Sequence, residues 1–262
     1  MIVTHAHQDH YAGFATSEKV ESIFDIFECE VIIDFAQTES TTKAYQNYIR
    51  ERNAEVEKGA KHFTAQDCIE QTKAGAQKTY DIGTNSTLTI LDSYYYTHDA
   101  SSENDYSVCC MISSNDKNFL FTGDLEADGE EYLVQLNDLP EMDLYKAGHH
   151  GSGTSSTSTL MSVIKPKTVC VCCCAGSSEY TPNVEKQFPT QAFIDNVAPY
   201  TNEIYVTTMC IDYKNDEFAS FNGNIVYACN ATSYRVFCSN NNTILKESDW
   251  FKQNRTWNVA VE

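Results

Sequence analysis

Apolar and polar positions divide the chain into short, regularly alternating elements. An opening apolar run, Met1-Ile2-Val3, breaks off into a histidine-rich turn. Val20, Ile23, Phe24 and Phe27 recur at helical spacing and predict a loop and amphipathic helix within residues 11–27. Residues 30–35 predict a buried strand. Residues 42–58 predict a charged helix, and residues 64–72 a shorter one capped by Thr64 ahead of Asp67. These two helices are expected to form an outer lid. Strands are predicted at 78–82 and 87–94, and 108–112 pairs with 119–121 across the polar turn 113–117. Helices at 129–136, 157–164 and 184–197 alternate with strands at 168–174 and 203–208, which is an α/β rhythm. Near the end, Asn222-Gly223-Asn224 reads as a hairpin turn joining 218–221 to 225–229, and 234–238 adds a strand.

The turn after Val3 carries the chemistry. His5, His7, Asp9 and His10 fall within six positions. On extended backbone His5 and His7 point the same way and can reach one ion, while Asp9 and His10 turn towards a second point nearby. Imidazole and carboxylate suit zinc, and also manganese or iron, so two adjacent divalent ions are expected. Further ligands should come from other strand ends on the same sheet edge. Two segments qualify. Phe119-Leu120-Phe121-Thr122-Gly123-Asp124 ends a strand in a Gly-Asp turn that presents a carboxylate able to bridge two cations. Asp143 to Ser152 delivers the pair His149-His150. His149, first off the strand, is favoured as the ligand, with His150 working beside it as a proton donor. The serines after the pair suggest a turn holding His149 and a helix N-terminus at Ser155 or Ser156 suited to an anionic group.

With these three segments in this order, the chain resembles the metallo-β-lactamase superfamily, whose His-x-His-x-Asp-His loop is reproduced from Thr4 to His10. The stretch Glu103-Asn104-Asp105-Tyr106-Ser107-Val108, then residues 119–125 and 146–156, is more narrowly similar to its ComEC-type branch. That branch includes the C-terminal hydrolase domain of DNA-uptake competence proteins. The resemblance spans residues 1 to about 230 and implies a four-layer αββα sandwich with metals at the sheet edges. It implies two divalent ions, Zn2+ or Mn2+, on His5, His7, Asp9, His10, Asp124 and His149. It also implies hydrolysis of a phosphodiester or related ester by a metal-activated hydroxide, with Asp9 orienting and His150 protonating the leaving group. The family normally has strands ahead of its histidine loop, so the single domain, residues 1–262 with terminal strands and tail at 222–262, is expected to lack its first strands. Many members also place a histidine ahead of the Gly-Asp strand. His98 stands there, and an exposed loop histidine is the favoured reading of it.

Composition limits the rest. With 262 residues and 42% hydrophobic content, one sizeable domain with a real core is expected. A net charge of −19 disfavours, without excluding, nucleic acid as the substrate and favours a small or neutral-ended one. Cys109-Cys110 and Cys170 to Cys174 lie along apolar strands where neighbours cannot pair, so most of the eleven cysteines read as core residues in a reducing, cytoplasmic compartment. No stretch approaches the roughly 18 apolar residues of a membrane span. The tyrosines at 94–96 read as half-buried sheet packing ahead of groove lining. Two rivals to hydrolysis remain: a non-catalytic module of the same fold, and a redox di-iron protein, disfavoured because His7 stands where such proteins carry glutamate.

Overall fold

Alternation along the central strands sorts side chains to two different cores. The computed structural model describes residues 1–15, 21–179, 181–212, 215 and 217–259. The helical elements are α1 (Gln8–Tyr11), α2 (Ile23–Ile26), α3 (Lys43–Lys58), α4 (Ala65–Glu70), α5 (Ala127–Leu136), α6 (Ser158–Ile164), α7 (Gln191–Val197) and α8 (Asp249–Asn254). The strands are β1 (Val31–Asp34), β2 (Lys61–Thr64), β3 (Thr79–Gly83), β4 (Ser86–Ile90), β5 (Cys110–Ser114), β6 (Lys117–Phe121), β7 (Leu144–Lys146), β8 (Thr168–Ala175), β9 (Ile204–Asp212), β10 (Glu217–Ser220), β11 (Ile225–Cys229) and β12 (Tyr234–Cys238). Eight of them form one mixed sheet in the order β10-β9-β8-β7-β6-β5-β4-β3. Its β3 to β6 portion is an antiparallel meander, β6 to β9 run parallel, and β10 returns antiparallel to β9. The fold is therefore mixed α/β.

Leu120, Tyr145, Val169 and Ile204 point to one face of this sheet. There they pack with Leu133, Leu160, Phe193 and Phe251 of α5 to α8. On the opposite face, Ile90, Cys110 and Phe121 meet Val3, Ile32, Ile33 and Phe63 in a second core. β1 and β2 pair in parallel, and Ile2 joins them by a parallel bridge to Ile33. The strand-end loops that follow Val3, β6 and β7 meet at one edge, as parallel strands dictate. No helix among the described residues is long and apolar enough to cross a membrane.

Several elements depart from the pattern read in the sequence. α3, expected as part of an outer lid, packs into the second core through Tyr48, which is fully buried against Tyr11. In the predicted 11–27 helix, Ile23 to Ile26 form one capped turn, and Val20 lies outside the described residues. β4 ends at Ile90, and Tyr94–Tyr96 is a 3-10 turn rather than sheet. Tyr96 is buried with its hydroxyl accepting from Cys109 N–H, while Tyr94 stacks on His98 and Tyr132. The predicted 184–197 helix is broken into Val184–Lys186 and α7. Pro189 has no N–H to donate and biases Phe188 away from helical backbone, so α7 starts anew at the Thr190 cap. Asn222-Gly223-Asn224 is not a hairpin turn: β10 pairs with β9, and β11 with β12. The buried Asn222 side chain accepts from Val206 N–H and donates to the carbonyls of Asn241 and Thr243, tying the chain where it leaves the sheet.

Asp34, at the end of β1, is buried and accepts from Tyr48 Oη at 3.0 Å and Arg52 at 2.8 Å, with His62 Nε2 also 2.8 Å away. Removing it takes the partner from the buried Tyr48 phenol and from His62 Nε2, and leaves the Arg52 guanidinium with Asn53 as its hydrogen-bond partner. Asp34→Ala is expected to lower the unfolding free energy by about 3 kcal/mol. Denaturant unfolding of the two proteins checks this, and a loss below about 1 kcal/mol would contradict it.

Candidate metal centre

The histidine loop is anchored at its start by backbone. Val3 N–H donates to Ile33 O, and Val108 N–H donates to Thr4 O. Two residues further on, Ala6 N–H donates to Glu103 Oε1. His7 is the N-cap residue of α1, so Asp9 and His10 enter on a helical turn while His5 and His7 precede it. After β6, Gly123 has φ +57, and a Cβ there would lie 2.7 Å from Ser107 Oγ. Only glycine permits this approach without strain. Ser107 Oγ accepts from Asp124 N–H and also contacts His5 Nδ1. After β7, His149 and His150 both adopt left-handed backbone, with φ of 43° and 54°.

This assembly brings four potential ligand atoms together from three segments. His10 Nε2 lies 3.1 Å from Asp124 Oδ2, 3.5 Å from Asp9 Oδ2 and 3.3 Å from His150 Nε2. His150 Nε2 is 3.3 Å from Asp124 Oδ2 and 3.4 Å from Asp9 Oδ2. A tetrahedral ion with ligands at about 2.0 to 2.2 Å requires edges of about 3.3 to 3.6 Å. The observed separations approximate that figure. Asp9, His10 and His150 form one group of possible ligands and His5, His10 and Asp124 an overlapping one, and His5 Nε2 is 3.1 Å from His7 Nδ1. Asp124 lies at the junction. Its Oδ1 is buried without a hydrogen-bond partner, with Lys146 Nζ 3.9 Å away.

Second-layer contacts orient these rings. Thr4 Oγ1 lies 3.1 Å from His5 Nδ1 and 3.0 Å from His10 Nδ1, so it can accept a hydrogen bond from both. His150 Nδ1 donates to Cys172 O at 2.7 Å. With Nδ1 of each ring engaged in this way, Nε2 is the atom that His5, His10 and His150 direct inward, where a metal would bind. Burial, then the neighbouring His10, holds His5 down to about 3, so its ring is neutral. Asp9 is lowered to about 2 chiefly by His150. Burial alone would raise Asp124, but contacts with His10 and His150 hold it well below the carboxylate range. Burial likewise opposes charge on His150, yet Asp124 and Asp9 raise it to about 9. Two ionised carboxylates thus share a pocket that demands a cation.

The structure brings together His5, His7, Asp9, His10 and Asp124 as the sequence predicted, and reverses the order of the last pair. His150 joins the cluster, whereas His149 turns to Glu126 Oε1 at 3.4 Å and Thr154 Oγ1 at 3.2 Å. Two consecutive left-handed residues rotate the chain off the strand direction, so being first off the strand does not decide which ring points inward. His98 is exposed and stacked on Tyr94, away from the cluster. The 156–157 backbone is unavailable to an anion, because Ser156 and Thr157 N–H both donate to the buried Glu130 carboxylate. Sequence reasoning assigned no role to Thr4, Ser107, Glu103 or Lys146. Their neighbours in the Glu103 to Val108 and Lys146 to Ser152 motifs were the available signal.

No family model matches the chain. It is 30% identical over 73 residues, 28% of its length, to ComE operon protein 3 of Bacillus subtilis (strain 168). It is 25% identical over 107 residues, 41% of its length, to Recombination protein 2 of Haemophilus influenzae (strain ATCC 51907 / DSM 11121 / KW20 / Rd). The matched parts are only 9% and 12% of those two proteins. The chain is thus distantly similar to a small part of each.

Gly123→Ala forces Cβ against Ser107 in a left-handed turn. It is expected to destabilise the protein by at least about 1 to 2 kcal/mol and to weaken zinc binding. Thermal melting with zinc titration checks both, and a variant indistinguishable from wild type would refute the packing argument. Glu130, raised to about 7 mainly by burial from an ordinary 4.5, gives a pH dependence. The unfolded chain releases this proton first, so the stability is complete below 4.5 and is lost as pH rises through about 7. The melting advantage of wild type over Glu130→Gln should therefore shrink from about pH 5 to pH 8. An advantage that grows across that window would show the carboxyl to be lowered instead.

Proposed function

We propose that the protein is a metal-dependent hydrolase with the four-layer metallo-β-lactamase arrangement, acting on a phosphodiester or related ester. One observation carries this reading: His10 and His150 each place Nε2 3.1 to 3.5 Å from a carboxylate oxygen of Asp9 and of Asp124, and 3.3 Å from each other, near the edge length of a coordination shell. Those four residues would hold one divalent ion, zinc or manganese. His5 and His7 would hold a second, with Asp124 beside both groups. Bound ions would supply Lewis acidity and acidify water from 15.7 to about 7. The distant similarity to ComE operon protein 3 and Recombination protein 2 is in keeping with the ComEC-type resemblance.

The chain's own groups have separate tasks. Thr4, Ser107 and the Cys172 carbonyl orient the imidazoles. Lys146 adds positive charge beside Asp124. His149, held by Glu126 and Thr154 and only partly buried, is the imidazole of the pair left to pass a proton to a leaving group. The role assigned in sequence to His150 thus moves one residue upstream. The charge of −19 favours a small or neutral-ended ester.

Protein loaded with zinc or manganese is expected to cleave bis-p-nitrophenyl phosphate, and a chelator should abolish turnover. Asp124→Ala should lower kcat/KM by at least about 100-fold. His150→Ala should reduce bound metal, measured by plasma mass spectrometry, whereas His149→Gln should retain metal and lose rate. Folded, metal-loaded protein without turnover on phosphodiesters, carboxyl esters or lactams would favour a non-catalytic module. Folded protein that binds neither metal would overturn the reading altogether.

A further inference from the structure

A cavity of about 150 Å3 opens directly beside the metal cluster, and His150 belongs to both. We propose that this cavity seats a single uncharged planar ring carried by the ester that the centre cleaves. The inference rests on the hydrolase reading and names the part of the substrate that the metals do not touch.

Size is the first support. A cavity of roughly 150 Å3 accepts one benzene-sized ring. Shape is the second. The partly buried Phe188 ring lies 6.4 Å from the His150 ring, centroid to centroid, at an interplanar angle of 20°. These near-parallel faces, with Cys172, Cys173 and Cys174 beside them, give a flat, polarisable lining. Burial pushes the Cys173 thiol well above its ordinary value, so it remains neutral. Placement is the third. His150 Nδ1 is fixed to Cys172 O while Nε2 faces Asp9 and Asp124, so the imidazole is a wall between the cavity and the reacting atoms. The register of β8 against β9 shifts between Val171 and Cys174, and this irregularity falls where the strand forms the cavity lining. Irregularities of this kind re-aim side chains beside functional sites.

Charge selects the occupant. Glu179, exposed, contributes a carboxylate to the lining, which disfavours an anionic group. A phosphate would be repelled here and drawn to the metals, whereas a neutral ring meets apolar faces.

The test compares phenylphosphonate, methylphosphonate and 1-naphthylphosphonate binding to the zinc-loaded protein by calorimetry. Phenylphosphonate is expected to bind at least about tenfold more tightly than methylphosphonate, and the naphthyl compound no more tightly than phenyl. Ser177→Trp, which fills the cavity from its side, should bring phenyl and methyl binding within about twofold and leave methylphosphonate unchanged. Phe188→Leu, which keeps an apolar wall without the ring face, should reduce the preference if Ser177→Trp does not fold. Iodoacetamide labelling of Cys172, followed by peptide mapping, supplies a readout independent of affinity: phenylphosphonate should slow it and methylphosphonate should not. Equal binding of the phenyl and methyl compounds, or a preference that survives Ser177→Trp in folded protein, overturns the ring subsite alone. Failure to bind zinc overturns it together with the hydrolase reading.

Discussion

The arrangement depends on one buried carboxylate. Asp124 is 2% exposed, shares Oδ2 with His10 and His150, and leaves Oδ1 without a hydrogen bond. An ionised group so placed is tolerated only where positive charge is supplied. Within the chain itself that charge comes from the His150 proton, held by Asp124 and Asp9 against the effect of burial. A divalent ion answers the same demand more completely, because it satisfies lone pairs from several directions at once.

Holding that carboxylate requires three loops to be fixed against one another. Ser107 links the two ends of the problem, taking the Asp124 N–H while touching His5. Glu103 ties the histidine loop to the chain after β1 by accepting from Ala6 and Glu39 N–H. The His149 N–H donates to Gly123 O, which joins the turn after β7 to the turn after β6. Apart from the Ser107–His5 contact, each of these bonds involves at least one backbone group, so the ligand geometry is set by the sheet edge as well as by side-chain rotamers.

Much of this was legible in sequence. His5, His7, Asp9 and His10 announced themselves because alternation and one helical turn fix where such closely spaced side chains point. Asp124 was legible because Gly-Asp after an apolar run specifies a left-handed turn at a strand end, and Gly123 has that conformation. The choice between His149 and His150 was not, since non-glycine residues seldom take left-handed backbone twice in succession and nothing local marks it. The break at Pro189 was readable in principle, whereas the 3-10 turn of Tyr94 to Tyr96 depends on tertiary partners such as Tyr132 and the Cys109 N–H. Asn222 misled for a related reason: Asn-Gly-Asn suits a hairpin turn, but the buried Asn222 amide is bound by β9 and the 241–243 segment.

The same economy of carboxylates extends beneath the site. Asp105, raised to about 6 by burial, accepts from Glu126 N–H, and Glu126 in turn receives Asn104 and Thr154 and orients His149. Glu130 holds the Ser156 and Thr157 N–H groups that open α6. These acids lie on α5 and its approach, or on the 3-10 turn before β5, and all face the loops that present Asp124 and His150. Burial works against charge on Asp105 and Glu130, so their part is structural: their hydrogen bonds fix the loops beside the site. The buried acids of this region are thus spent on backbone donors, and Asp9 and Asp124 are the carboxylates that face the His10–His150 cluster.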